Sequence, residues 1–399
     1  MQPTRNELLA LVDMQPWWGN SINAKEGFIE ALSKFSKKKK FSPNFPFMTC
    51  FYRDSMEKTF SIPIAAVAVH PTRNDVIAIG FLDGLIRYCT FDVVKKKLQL
   101  IWSSRLKRAI RGLEFSEDGH FLYVISANRA LCVYEMETGK RLRCIRKSHD
   151  NKPNKVCLLP TSEVVTGSED GEVRFWDFRQ QNALVGSCKE QEDIVNAFEI
   201  YKNSLLVANG DCTLAAYDFR QKKLKVKSEL MHSELLSLAL NERHTYVGTS
   251  DGHIEIFNNG EYGNILERMA TPFAMGVDSL IVLRPQLLLA GSAMDDETKF
   301  FHLTPNKQLH SLEQFGGADM LTKTKDSKYL ITASCDSASL RWQPWHLLHL
   351  FAALFALRKR KKYTPVRNAS SLIAPFAAIE ARDIPNALKH FTRNNANEK

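Results

Sequence analysis

The chain lacks the residue spacings that most site chemistry requires. Its eight cysteines form no Cys-x-x-Cys pair and no His cluster accompanies them, so a zinc site is not expected. No Gly-x-Gly-x-x-Gly follows a strand pattern, and phosphate-loop, His-Glu-x-x-His and Gly-x-Ser-x-Gly motifs are missing. Neither an enzyme nor a bound cofactor is therefore expected. The longest apolar run, Trp345 to Leu357, has 13 residues and two histidines, short of the roughly 20 that a membrane span needs. The first residues lack a charged start leading into an apolar run of roughly 7–15 residues, the pattern of a secretory signal. They also carry Glu7 and Asp13, against a mitochondrial transit peptide. The expectation is a soluble intracellular protein whose cysteines, such as Cys89 and Cys132 within apolar runs, are reduced core thiols.

What is present divides unevenly. The chain has 399 residues, 44% hydrophobic, and a net charge of +10. Residues 1–50 hold seven Lys/Arg and four Asp/Glu, and residues 345–399 hold ten and three, which leaves residues 51–344 with a net charge of zero. A neutral body thus carries two basic extensions. The N-terminal one includes Lys37, Lys38, Lys39 and Lys40. It reads either as a helix capped by Ser21, with Ile22, Phe28, Ile29, Leu32 and Phe35 on one face, or as a partly disordered arm. The C-terminal one reads as a short apolar helix over 345–357, then Arg358, Lys359, Arg360, Lys361 and Lys362. Such runs fit a nuclear or nucleolar address, direct RNA contact, or a solvated face.

Between the extensions one unit repeats. Its clearest copy is Val164 to Arg179, where Asp170-Gly171 separates Val164-Val165-Thr166 from Val173, Phe175 and Trp176. Two apolar runs joined at Asp-Gly predict a β-hairpin, because both residues tolerate tight-turn backbone angles. Equivalent turn residues are Asp83, Asn128, Asp170, Asp211, Asp251, Asp295 and Asp336, spaced 45, 42, 41, 40, 44 and 41 residues apart. Six residues after each stands Cys89, Tyr134, Trp176, Tyr217, Phe257, Phe301 or Trp342, all but one aromatic in a chain with 10% aromatics. Before each turn, bulky apolar residues give way to Gly, Ala or Ser, as in Val76-Ile77-Ala78-Ile79-Gly80, which suits close approach of neighbouring backbones. Another apolar strand precedes each copy, from Ile64–Val69 onward. Seven copies of that period predict an all-β, seven-bladed propeller of four-stranded sheets over 51–344. The seventh copy runs out at Trp342, so the segment around Phe51 to Phe60 is expected to supply its outer strand and close the ring.

The repeats resemble WD-repeat propellers over roughly residues 60–344, most strongly at Gly167-Ser168-Glu169-Asp170-Gly171 with Trp176-Asp177. Only Asp177 and Asp218 keep the acidic residue after the aromatic, and His149 and His232 alone suit the blade-head histidine. The blades with fewer of these residues, 1, 6 and 7, are expected to be less rigid. More narrowly, the chain is similar to the WD repeat-containing protein 55 family. The strings that carry this are Ala66-Val67-Ala68-Val69-His70-Pro71, Leu100-Ile101-Trp102-Ser103-Ser104, Glu114-Phe115-Ser116-Glu117-Asp118-Gly119, Lys147-Ser148-His149 and Thr304-Pro305-Asn306. This resemblance implies a nucleolar, non-catalytic scaffold in ribosomal RNA processing and large-subunit assembly. Its partners would be ribosome assembly factors, with pre-ribosomal RNA contact through the basic runs. No membrane is implied, and the chain would be a monomer within a larger complex. Members often end in an acidic tail; this one is basic. A different class is also open. Trp176-Asp177-Phe178-Arg179 and Tyr217-Asp218-Phe219-Arg220 are similar to the Trp-Asp-x-Arg blade ends of cullin-type ubiquitin-ligase substrate receptors. On that reading Trp176, Asp177, Arg179, Tyr217, Asp218 and Arg220 bind the ligase adaptor. On the plainer reading Arg179 and Arg220 pair with nearby acids.

Overall fold

A recurring turn, with Asp in six of its seven copies and Asn128 in the other, determines how this chain is laid out. In the computed structural model, which describes residues 55–295, 297–303, 306–313 and 317–344, twenty-eight strands form seven four-stranded antiparallel sheets. Lys37–Lys40, Arg358–Lys362 and the expected helices at both ends lie outside the described residues. The strands of each sheet follow chain order in blades 1 (64–105), 2 (110–145), 3 (153–188), 4 (195–227), 5 (235–270) and 6 (279–313). Blade 7 is different. Its three strands, Met320–Lys323, Tyr329–Ser334 and Ser339–Pro344, are completed by Met56–Thr59, with Met56 opposite Trp342. The ring is thus closed from the N-terminal side, as the exhausted seventh copy predicts. Each innermost strand touches that of the next blade, and the seventh touches the first.

The repeat pattern follows from how blades pack. All seven residues placed six positions after the turn are buried. They join apolar clusters that span blade junctions; one such cluster unites Met56, Ile331 and Trp342 with Ile77, Phe81 and Phe91 of blade 1. The small residues before the turns lie where the next blade comes closest. A Cβ on Gly80 would sit 2.6 Å from Ile110 of blade 2, and one on Gly167 2.4 Å from Val195 of blade 4. A methyl group there displaces the neighbouring inner strand, so these two positions accept no side chain without a shift.

In blades 1 to 5 the residue after the turn Asp or Asn is left-handed. Gly84, Gly171 and Gly252 fill this position at φ values of +86°, +77° and +78°. Blade 2 places Arg129 there, at φ +65°. An L-residue with a side chain pays about 1–2 kcal/mol in this region, partly offset by the extra unfolded-state freedom of glycine. Arg129→Gly is therefore expected to raise the free energy of unfolding by about 0.5–1 kcal/mol, read from the urea midpoint.

Two details depart from the sequence pattern. The inner strand of blade 6 is Ser279–Arg284 rather than a strand from Val277, because the Asp278 carboxylate accepts the Ala293 N–H at 2.7 Å before pairing begins. Five inner strands also carry a register shift near their start, as between Ile110 and Gly112, which breaks simple alternation.

Candidate functional site

Blade 3 carries the best-formed polar core. The Trp176 indole N–H donates to Thr166 Oγ1 at 2.7 Å, and Thr166 Oγ1 lies 2.7 Å from His149 Nε2. The other ring nitrogen of His149 faces Glu172 Oε2 at 3.3 Å. Burial, reinforced by the Arg174 charge, pushes the histidine down to about 4, so it is neutral at physiological pH. Blade 4 keeps the shape without the bonds: Asn209 and Gln191 are buried, and neither their side-chain atoms nor the Tyr217 hydroxyl has a hydrogen-bond partner among the described residues. His232, the other candidate blade-head histidine, is exposed, and the preceding Met231 takes the buried place. The chain enters blade 5 with Met231 N–H bonded to the Cys212 carbonyl, just as Ser148 N–H bonds to Arg129 in blade 2. The structure therefore assigns the histidine role to His149 alone of the two.

The two Arg-bearing blade ends lie on the turns between third and fourth strands of blades 3 and 4, and they differ. Asp177 is buried and accepts from the Arg179 backbone N–H (3.0 Å), Arg179 Nε (2.8 Å), a terminal Arg179 nitrogen (3.0 Å) and Gln180 Nε2 (3.1 Å). The Arg179 hydrogen bonds hold the Asp177 carboxyl down at about 2. Arg143 of blade 2 donates to the carbonyls of Phe178, Gln180 and Gln181, fixing the same turn from next door. In blade 4, Asp218 accepts only the backbone N–H groups of Arg220 and Gln221, and Arg220 is exposed with no side-chain partner among the described residues. Trp176 and Tyr217 are both buried in the blades and present no ring to a partner.

The sequence gives little warning of the central channel. Glu114, Cys157 and Glu199 occupy matching positions on the inner strands of blades 2, 3 and 4. Burial, with the Glu199 charge second, raises Glu114 to about 8; burial raises Glu199 to about 7. Burial also lifts Cys157 well above its ordinary range, away from the thiolate that a nucleophile needs. Lys155 lies two residues before Cys157 on the same inner strand, and desolvation lowers its pKa. At one mouth lies a cavity of about 500 Å³ lined by Glu114, Glu117, Lys323 and Lys325 among others. Single charged residues within apolar inner strands are the only sequence signal for this lining.

Seven closed blades with a Trp-Asp end and a buried His-Thr-Trp network define a WD-repeat propeller. The model of the anaphase-promoting complex subunit 4 WD40 domain family matches residues 70–162. Over 270 residues the chain is 30% identical to WD repeat-containing protein 55 of Mus musculus, covering 66% of this chain and 69% of the relative. It is 28% identical over 326 residues to the Pongo abelii protein of that name, covering 80% and 84%. The chain belongs to the WD repeat-containing protein 55 family. Two solved structures share the fold at 14% identity and a TM-score of 0.63: one titled "Structure of U3-55K", covering 73% of this chain and 98% of that one, and one of RRP9 WD40 repeats, covering 72% and 97%.

Proposed function

We propose that this chain is a non-catalytic scaffold of ribosome biogenesis, working in the nucleus and nucleolus in ribosomal RNA processing and large-subunit assembly. Family membership over most of the propeller carries the reading, through what that family's resemblance implies. The arrangement supports it: a closed ring offers two loop faces and an outer edge. The basic extensions, with Lys37–Lys40 and Arg358–Lys362, supply an address or an RNA contact, and assembly factors are the protein partners. Imaging a tagged full chain tests it. Nucleolar enrichment is expected, and exclusion from the nucleolus contradicts the reading.

The exposed Arg220 favours a second reading, adaptor binding by a cullin-type ligase receptor. Arg179, bound twice to Asp177, speaks for the plainer pairing in blade 3. On the scaffold reading, adaptor recovery in a pull-down is at background and is the same for Arg220→Ala; recovery that this substitution abolishes would establish the receptor role.

A further inference from the structure

In blades 1, 3, 4, 5 and 6 the turn Asp is neutralised on the spot. Asp83 pairs with Arg105 at 2.7 Å, Asp170 with Lys189 at 3.0 Å, Asp211 with Lys227 at 3.3 Å and Asp295 with Lys299 at 3.1 Å, and Asp251 pairs with Arg268. Blade 2 keeps the base and loses the acid. Arg105 stands across from Leu85, two residues after the turn Asp83. The matching residue of blade 2 is Arg146, one step beyond the Leu131–Ile145 pair and two residues after Asn128 on the facing strand. With a neutral Asn128 in place of Asp, Arg146 is exposed and has no side-chain partner among the described residues, and Asn128 Oδ1 has no hydrogen-bond partner either.

The unpaired base is not alone. Three loops meet on this face. Ser126 Oγ donates to the carbonyls of Arg108 and Ala109 at 3.0 Å, and Ser148 N–H donates to the Arg129 carbonyl at 2.8 Å. These bonds bring Lys107, Arg108, Arg129, Arg146 and Lys147 together, all exposed. Among the described residues only Arg129 of these five makes a side-chain contact, donating to the backbone carbonyl of Asp150 at 3.0 Å. The only acid on the three loops, Asp150, faces Arg174 at 3.2 Å. The patch therefore concentrates positive charge on a body whose net charge is zero, and one of its guanidinium groups is held on the left-handed turn residue described above.

We propose that this face of blade 2 binds the phosphate backbone of RNA. Guanidinium and ammonium groups spread over three loops suit a chain of phosphates. No large apolar side chain is exposed on these loops, whereas a protein partner is usually anchored by buried aromatic or aliphatic residues. The choice of RNA as the polyanion rests on the ribosome-biogenesis reading and deepens it by naming a contact surface within the propeller.

The test is fluorescence anisotropy of the purified full chain with a labelled oligouridine across a salt series. Asn128→Asp restores the acid that most blades carry and is expected to weaken binding about 3–10-fold with an unchanged melting midpoint. Arg108→Glu with Arg146→Glu is expected to weaken it at least about tenfold and to flatten the log-affinity against log-salt slope by about 1–2, since each phosphate contact to a single strand contributes about 0.7. If the double variant does not fold, Asn128→Asp decides. Unchanged affinity and slope in the folded variants would place RNA binding elsewhere and overturn the proposal, as would lost binding of poly-glutamate with RNA binding intact. Weakened RNA binding together with unaltered ribosomal RNA precursors on depletion of the protein would retain the surface and reject the ribosome-biogenesis reading.

Discussion

Trp342→Ala is expected to lower the free energy of unfolding by about 3–5 kcal/mol. The indole is fully buried, pairs across the sheet with Met56 on one side and Ile331 on the other, and packs 5.4 Å from the Phe91 ring of blade 1. Its N–H has no hydrogen-bond partner among the described residues, so the loss is one of packing rather than of a polar contact. Domains of ordinary stability have about 5–15 kcal/mol in total, and the change falls at the seam where the first and last parts of the ring meet. Met56→Ala is expected to cost about 2–5 kcal/mol for the same reason. Because the two side chains share one cluster, their effects are expected to be non-additive by about 0.5–3 kcal/mol in a double-mutant cycle followed by urea unfolding. Leu142→Ala, at a side chain 50% exposed, provides the control and is expected to change stability by less than about 0.5 kcal/mol. Strict additivity of the first pair would argue that Met56–Thr59 does not close blade 7.

Acidification is expected to weaken the fold through His149, the second large effect. In the unfolded chain this histidine takes up a proton below its ordinary value of 6.5, but in the fold it does so only near 4. Between those values the unfolded state binds more protons, so stability falls as the pH falls. At pH 4.5 the loss amounts to about 2–3 kcal/mol relative to pH 7. His149→Gln removes this term, and the difference in unfolding free energy between pH 7 and 4.5 is expected to shrink by about that amount. Glu114 and Glu199 act in the opposite sense. Their carboxyls keep protons that the unfolded chain releases above 4.5, so they cost stability as the pH rises toward 7 and 8. Glu114→Gln is accordingly expected to flatten the alkaline side of the profile and leave the His149-dependent acid limb in place.

The architecture was legible because its physical causes leave marks in sequence. A left-handed turn position selects Asp-Gly, a blade junction selects an aromatic six residues later, and close approach selects small residues before the turn. Even the closing strand could be read, from the exhaustion of the seventh copy at Trp342. Other features depend on relations that one sequence position does not display. Whether a histidine enters the core depends on which of two neighbours faces inward, and Met231 displaces His232. Whether an arginine is available depends on a partner two residues away: Asp177 holds the Arg179 guanidinium, while Asp218 caps only backbone. The inner-strand carboxyls Glu114 and Glu199 feel each other's charge only once blades 2, 3 and 4 stand side by side. The importance of Asn128 emerges when the ion pairs of the other blades are seen beside it.

The central claim, that this propeller serves ribosome assembly, is tested most directly by depleting the protein and quantifying ribosomal RNA precursors, with re-expression of the full chain. Accumulation of large-subunit precursors that re-expression reverses is the expected result. A precursor pattern unchanged after depletion would contradict the account.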